Sequence, residues 1–144
     1  INLSSSQFKD RQFPTLIVDV LNQFRLDGRY LNIEITESMI MDQGDLIIKH
    51  LNFLQSLGIC ISLDDFGTGY SSLSYLKTFP VNHLKIDQSF VRNLEKSPPD
   101  QNIVNAIIQM AHAMKLEVVA EGIETVSQKI ILERFGCDYA QGYY

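Results

Sequence analysis

The sequence predicts an α/β fold built on a parallel sheet, and three observations predict it. Short apolar runs of strand character alternate with segments of helical periodicity along the whole chain. That repeated β-α order calls for parallel strands joined by crossover helices. Each strand-like run also finishes on a polar or charged residue, as expected where strand ends share one functional face. The pattern amounts to six strands with five helices between them. It suits either an open sheet or most of a (β/α)8 barrel.

Residues 1–4, INLS, read as the end of a first strand with Asn2 near its terminus. Pro14 suits the first turn of a helix carrying Leu16, Ile17, Val20, Leu21 and Phe24, which Gly28 closes. Residues 31–38 alternate Leu31, Ile33 and Ile35 with Asn32, Glu34 and Thr36, a strand pattern. Asp42 or Asp45 caps the next helix, whose apolar face is Leu46, Ile47, Leu51 and Leu54 and whose end is Gly58. Ile59 to Leu63 form a buried strand leading to Asp64 and Asp65. A loop with Gly67 and Gly69 follows, then a short helix around Leu73 and Leu76 that stops at Pro80.

His83 to Asp87 form another strand, and Ser97-Pro98-Pro99-Asp100 starts a helix with Ile103, Val104, Ile107, Ile108, Ala111 and Met114 on its apolar face. Val118 to Ala120 run into Glu121. Thr125 with Gln128 matches a capping box for a helix that ends at Gly136, and Tyr139 to Gln141 form the last strand.

The 45% hydrophobic content supports a packed core within one domain, and no linker or repeat marks an internal boundary. The net charge of −5 argues against a broad DNA- or RNA-binding surface, although bound cations would reverse the local sign for an anionic ligand. Cys60 and Cys137 lie far apart in sequence and outside any C-x-x-C pair, so they read as reduced core cysteines, which points to the cytoplasm. No apolar run is long enough to span a bilayer, which implies no membrane contact by this segment. The parent can still be tethered to a membrane by segments upstream.

The chemistry gathers at the strand ends: Asn2, Glu34, Asp64 with Asp65, Lys85 with Asp87, Glu121 and Gln141. Each alone has an ordinary explanation as a turn, edge or snorkelling residue. Shared by six successive strands, the pattern points to a site. Carboxylates with an amide oxygen make a hard oxygen site suited to Mg²⁺ or Mn²⁺, and adjacent aspartates can bridge two ions for phosphoryl chemistry. Lys85 can orient a nucleophile or stabilise developing charge. The three histidines, His50, His83 and His112, make no zinc spacing, and the chain contains no P-loop.

The motifs DDFGTGYSSL, EITE at residues 34–37, KID, AEGIET and QGYY together resemble the EAL family of cyclic-di-GMP phosphodiesterases along essentially the whole chain. The resemblance implies a modified TIM-type (β/α)8 barrel of which this chain supplies about strands 3–8. It implies hydrolysis of cyclic di-GMP to linear pGpG by a water attack assisted by two Mg²⁺ or Mn²⁺ ions. By resemblance, Asn2, Glu34, Asp64 and Asp65 ligate metal. Lys85 and Glu121 handle the attacking water, with Glu121 the candidate base. Asp87, Glu124 and Gln141 support metals, waters and substrate. Glu37 anchors the loop that contains Gly67, Thr68 and Gly69.

The resemblance also implies that residues 1–144 are a partial domain. The first two strands and the Glu-Ala-Leu signature, with its ligating glutamate, are expected upstream of Ile1, and residues 1–144 alone are expected to be inactive. A homodimer through the parent domain is compatible with it. The rival reading is a catalytically inactive EAL domain that binds cyclic di-GMP or a protein; loss of ligands would favour it, and the positions present retain theirs. An enolase-like barrel also uses strand-end carboxylates with Mg²⁺ and lysine. The Asp-Asp-Phe-Gly-Thr-Gly run, and the lack of a second lysine at a strand end, disfavour it.

Overall fold

Ser4 sets the first element. Its hydroxyl accepts the Gln7 N–H and the Gln7 side chain accepts the Ser4 N–H, a capping box that starts helix α1, Ser5–Lys9. The computed structural model that shows this describes residues 1–41, 45–68 and 76–144. The chain forms two compact units, Ile1–Leu63 with Ser72–Asn82, and Asp64–Ser71 with His83–Tyr144. The division falls inside a strand, so no linker announces it in the sequence.

In the first unit, helix α2 spans Phe13–Phe24, with Pro14 in its first turn as expected and Phe13, Pro14 and Ile17 buried. Gly28 does not close it. Arg25 caps α2 in the left-handed region at φ 52°, and its N–H meets the Asn22 and Leu21 carbonyls. Gly28 instead opens a 3-10 turn, Gly28–Tyr30, where a Cβ would fall 2.0 Å from the Leu57 carbonyl oxygen; close backbone approach requires this glycine. Asp27 caps that turn by accepting the Arg29 N–H, and the hydrogen bond from the Arg29 guanidinium holds its carboxyl down at about 2.

Strand β1 is Asn32–Thr36, shorter than the expected 31–38, because helix α3, Glu37–Met41, begins at once. Residues 1–4 make only an isolated parallel bridge, Asn2 to Glu34, since α1 starts too soon for a strand to grow. Helix α4, Asp45–Ser56, buries Ile47, Leu51 and Leu54, and Gly58 follows at φ 82°. Of its two candidate caps, Asp42 lies outside the described residues and Asp45 is the first helical residue.

Strand β2, Cys60–Phe66, runs three residues beyond the expected end at Leu63 and carries both aspartates within it. In the first unit it lies beside β1, where the Cys60 N–H donates to the Leu31 carbonyl and the buried Ser62 hydroxyl donates to Asn32 Oδ1 at 2.9 Å. Leu73, at the centre of the expected short helix, lies outside the described residues, whereas Leu76 is buried. Neither Cys60 nor Cys137 is in a disulfide, and each is half-buried rather than in the core.

In the second unit β3, His83–Ile86, pairs in parallel with β4, Glu117–Ile123, and β4 with β5, Tyr139–Gly142. Helix α5, Gln88–Arg92, was not foreseen; Asp87 caps it by accepting the Ser89 N–H. Helix α6, Pro98–Ala113, starts at the expected Ser97 cap and turns Val104, Ile107, Ile108 and Ala111 inward. With Leu84, Ile86, Val118 and Ala120 they form the unit's core, each Val, Leu or Ile contributing about 1.5–3 kcal/mol through burial.

The expected Thr125–Gln128 box starts helix α7, Val126–Phe135, and Gly136 ends it at φ 83°. Gln128 does more than cap. Its buried side chain accepts the Glu124 and Thr125 N–H groups and donates to the Val91 carbonyl, fixing the turn after β4 to the end of α5. At the opposite end of the sheet, Asp138 accepts from the Val118 N–H at 2.7 Å and pairs with His112 at 2.8 Å. Partial burial raises the Asp138 pKa, but these two donors outweigh it and leave the net shift downward.

Candidate active site

Lys85 is the pivot of the site in the second unit. It sits on β3 and is 4% exposed, which an ammonium tolerates only with counter-charges in reach. Counter-charges do reach it: Asp64 Oδ1 lies 3.1 Å and Glu121 Oε1 2.7 Å from its Nζ. The sheet explains the placement. Lys85 pairs in register with Val119, and Glu121 stands two residues further along β4, on the same face. Asp64 lies on β2, two residues before its end.

Beside this triad stands Asp65, whose backbone is in the left-handed region at φ 54°. Such a conformation in a non-glycine residue is a strain that functional sites tend to carry. The Thr68 hydroxyl and N–H both bond to the Asp65 carbonyl and fix the turn. Gly67 follows at φ 95°, and a Cβ there would stand 2.9 Å from the Phe90 ring. The turn therefore needs glycine for its conformation and for space. Gly69 lies outside the described residues.

Asp64, Asp65 and Glu121 each offer a carboxylate oxygen within 4.8 Å of the others. Partial burial, then the charges of Asp64 and Asp87, push the Asp65 carboxyl upward against the opposing pull of Lys85. Excess negative charge of this kind is what a cation relieves. The donor set is all hard oxygen and fits Mg²⁺ or Mn²⁺.

The remaining expected residues fall into place unevenly. Asp87 is an N-cap as well as a neighbouring charge. Gln141 pairs in register with Glu121. Glu121, Glu124 and Gln141 share a cavity of about 370 Å³ with Gln88, Gly122, Gly142 and Tyr143. Gly122, Gly142 and Tyr143 fall within the motifs AEGIET and QGYY, where the sequence assigned them no role, and Gln88 carried no signal at all.

In the first unit, Asn2 and Glu34 are brought together by the bridge, with the Glu34 N–H donating to Ile1 O and the Leu3 N–H to Glu34 O. Glu37, the first residue of α3, is buried, and neither of its carboxylate oxygens has a hydrogen-bond partner among the described residues.

The family model of the EAL domain matches residues 1–144. The signaling protein YkoW of Bacillus subtilis is 48% identical over the whole chain, which spans 18% of that protein. The chain thus covers about a fifth of the length of the curated relatives it matches. A phosphodiesterase structure of MucR, of Pseudomonas aeruginosa, in complex with cyclic di-GMP, superposes with a TM-score of 0.92 at 41% identity, covering 99% of this chain and 57% of that one. A manganese and cyclic-di-GMP complex of BlrP1 from Klebsiella pneumoniae gives 0.90 at 32% identity, covering 99% and 37%. The expected fold class, part of a TIM-barrel-like α/β domain, is the fold of these structures.

Proposed function

Because this chain belongs to the EAL-domain family, we propose that it carries most of the active site of a cyclic-di-GMP phosphodiesterase, which opens the cyclic dinucleotide to linear pGpG. The observation that carries the proposal is the contact of buried Lys85 with Asp64 and Glu121 beside Asp65. A purely binding module has no need of a buried lysine held between carboxylates.

Asp64 and Asp65 would hold divalent cations, two in number on this reading, with Asn2 and Glu34 as further oxygen ligands. Bound there, such ions polarise phosphoryl oxygens and make water more acidic. Glu121 accepts the proton of the attacking water, and Lys85, hydrogen-bonded to it, orients that carboxylate and offsets negative charge developing on the phosphate. Asp87 fixes the end of β3 through its cap, and Gln141 and Glu124 face the substrate from the adjoining cavity.

The test is incubation of the full-length protein with cyclic di-GMP and Mn²⁺, with chromatographic detection of pGpG. Tight binding of cyclic di-GMP without turnover would replace this reading with the binding module.

Glu37 has a separate part. A buried carboxylate costs stability unless it is satisfied, and Glu37 has no hydrogen-bond partner among the described residues. We assign it to hold the loop that contains Gly67, Thr68 and Gly69. Glu37→Ala in the full-length protein is expected to weaken Mn²⁺ and substrate affinity and lower kcat with little change in melting temperature. Normal kinetics with reduced stability would make it only a helix-end charge, worth about 0.3–1 kcal/mol.

A further inference from the structure

The cavity next to Glu121 carries a recognition element outside the expected constellation. Gln88, the first residue of α5, lines it together with Glu124, Gln141 and Tyr143. Gly122 sets how near Gln88 comes. At φ 71° it has no Cβ, and an added one would lie 2.6 Å from Gln88 Cβ. The first turn of α5 can therefore lie directly against the end of β4, which brings the Gln88 amide to the same cavity as the Glu124 carboxylate.

We propose that Gln88 is a specificity-determining residue that, with Glu124, selects a guanine base of the substrate over adenine; this rests on the phosphodiesterase reading above. The chemistry follows from the base edges. Guanine presents N1–H and N2–H donors that a carboxylate can accept, beside O6 and N7 acceptors that an amide N–H₂ can serve. Adenine presents an N1 lone pair where guanine has a donor, and a carboxylate repels it. Tyr143, fully exposed at the rim, offers a ring on which a base can stack. The cavity volume of about 370 Å³ lies within the range of small-molecule sites. Glu124 lies outside the cluster of Asp64, Asp65 and Glu121, so its carboxylate can serve the donor edge of a base.

The Gln88 residue is exposed, so shortening its side chain leaves folding intact. The experiment measures kcat/KM of the full-length protein for cyclic di-GMP and cyclic di-AMP with Mn²⁺. Gln88→Ala should raise KM for cyclic di-GMP about tenfold and cut the preference over cyclic di-AMP by a similar factor, with kcat nearly unchanged. Gln88→Glu, which keeps size but loses the donor, should show at least the same loss. A wild-type preference that both variants retain would overturn the assignment of Gln88 while leaving the phosphodiesterase reading intact. A wild-type protein that hydrolyses neither dinucleotide would overturn both.

Discussion

Asp64→Asn in the full-length protein should lower cyclic-di-GMP hydrolysis by roughly 10²–10³-fold or more while the fold survives. The substitution keeps shape and one oxygen but removes the charge shared between Lys85 and the proposed cation site. Three consequences follow from the geometry. Cation affinity falls, because one of three clustered carboxylates becomes a weak neutral donor. Lys85 keeps Glu121 at 2.7 Å, so the buried ammonium is not stranded and unfolding is not the cause of the loss. The Asp65 carboxyl, held up in part by the Asp64 charge, moves back toward its ordinary range. Mn²⁺ titration by calorimetry and a thermal melt check these points together. Full turnover by Asp64→Asn would remove Asp64 from the site.

Glu121→Gln should leave cyclic-di-GMP binding within a few-fold of wild type and lower kcat about 10²–10⁴-fold, a barrier increase of about 3–5 kcal/mol. Glutamine is isosteric and retains an oxygen toward Lys85, but it cannot take the proton of water. The same carboxylate has an oxygen within 4.8 Å of those of Asp64 and Asp65, which also makes it a candidate cation ligand. The two roles separate by measurement. A base variant loses kcat at saturating Mn²⁺, whereas a ligand variant recovers as Mn²⁺ is raised. Abolished binding with intact kcat would make Glu121 a substrate contact.

What the sequence made legible depended on whether a signal was local. The Ser97 cap, the Thr125–Gln128 box and the Gly136 stop each rest on a few neighbouring residues, and each stands where expected. Strand-end polar residues were legible because period and chemistry coincide at Lys85 and Glu121. Gly28 misled because its need is tertiary: it makes room for the Leu57 carbonyl, and no local pattern reports that. Residues 1–4 resembled a strand in composition, but the Ser4 cap limits them to a bridge. The longer reach of β2 was hidden because two carboxylates read as a strand terminus, whereas the sheet carries them to Phe66. Gln88 was illegible because its neighbour in the cavity, Gly122, is distant in sequence. Among the described residues no helix is long and apolar enough to cross a membrane, in line with the absence of a long apolar run in the sequence.

The central claim is that carboxylates beside Lys85 work through bound divalent cations. The most direct measurement is the initial rate of pGpG formation by full-length protein stripped with EDTA and dialysed, then titrated with Mn²⁺. The account predicts no product before addition and a rate that rises and saturates with Mn²⁺, the wild-type curve lying far to the left of that for Asp65→Asn. Undiminished hydrolysis of cyclic di-GMP in the presence of chelator would contradict it.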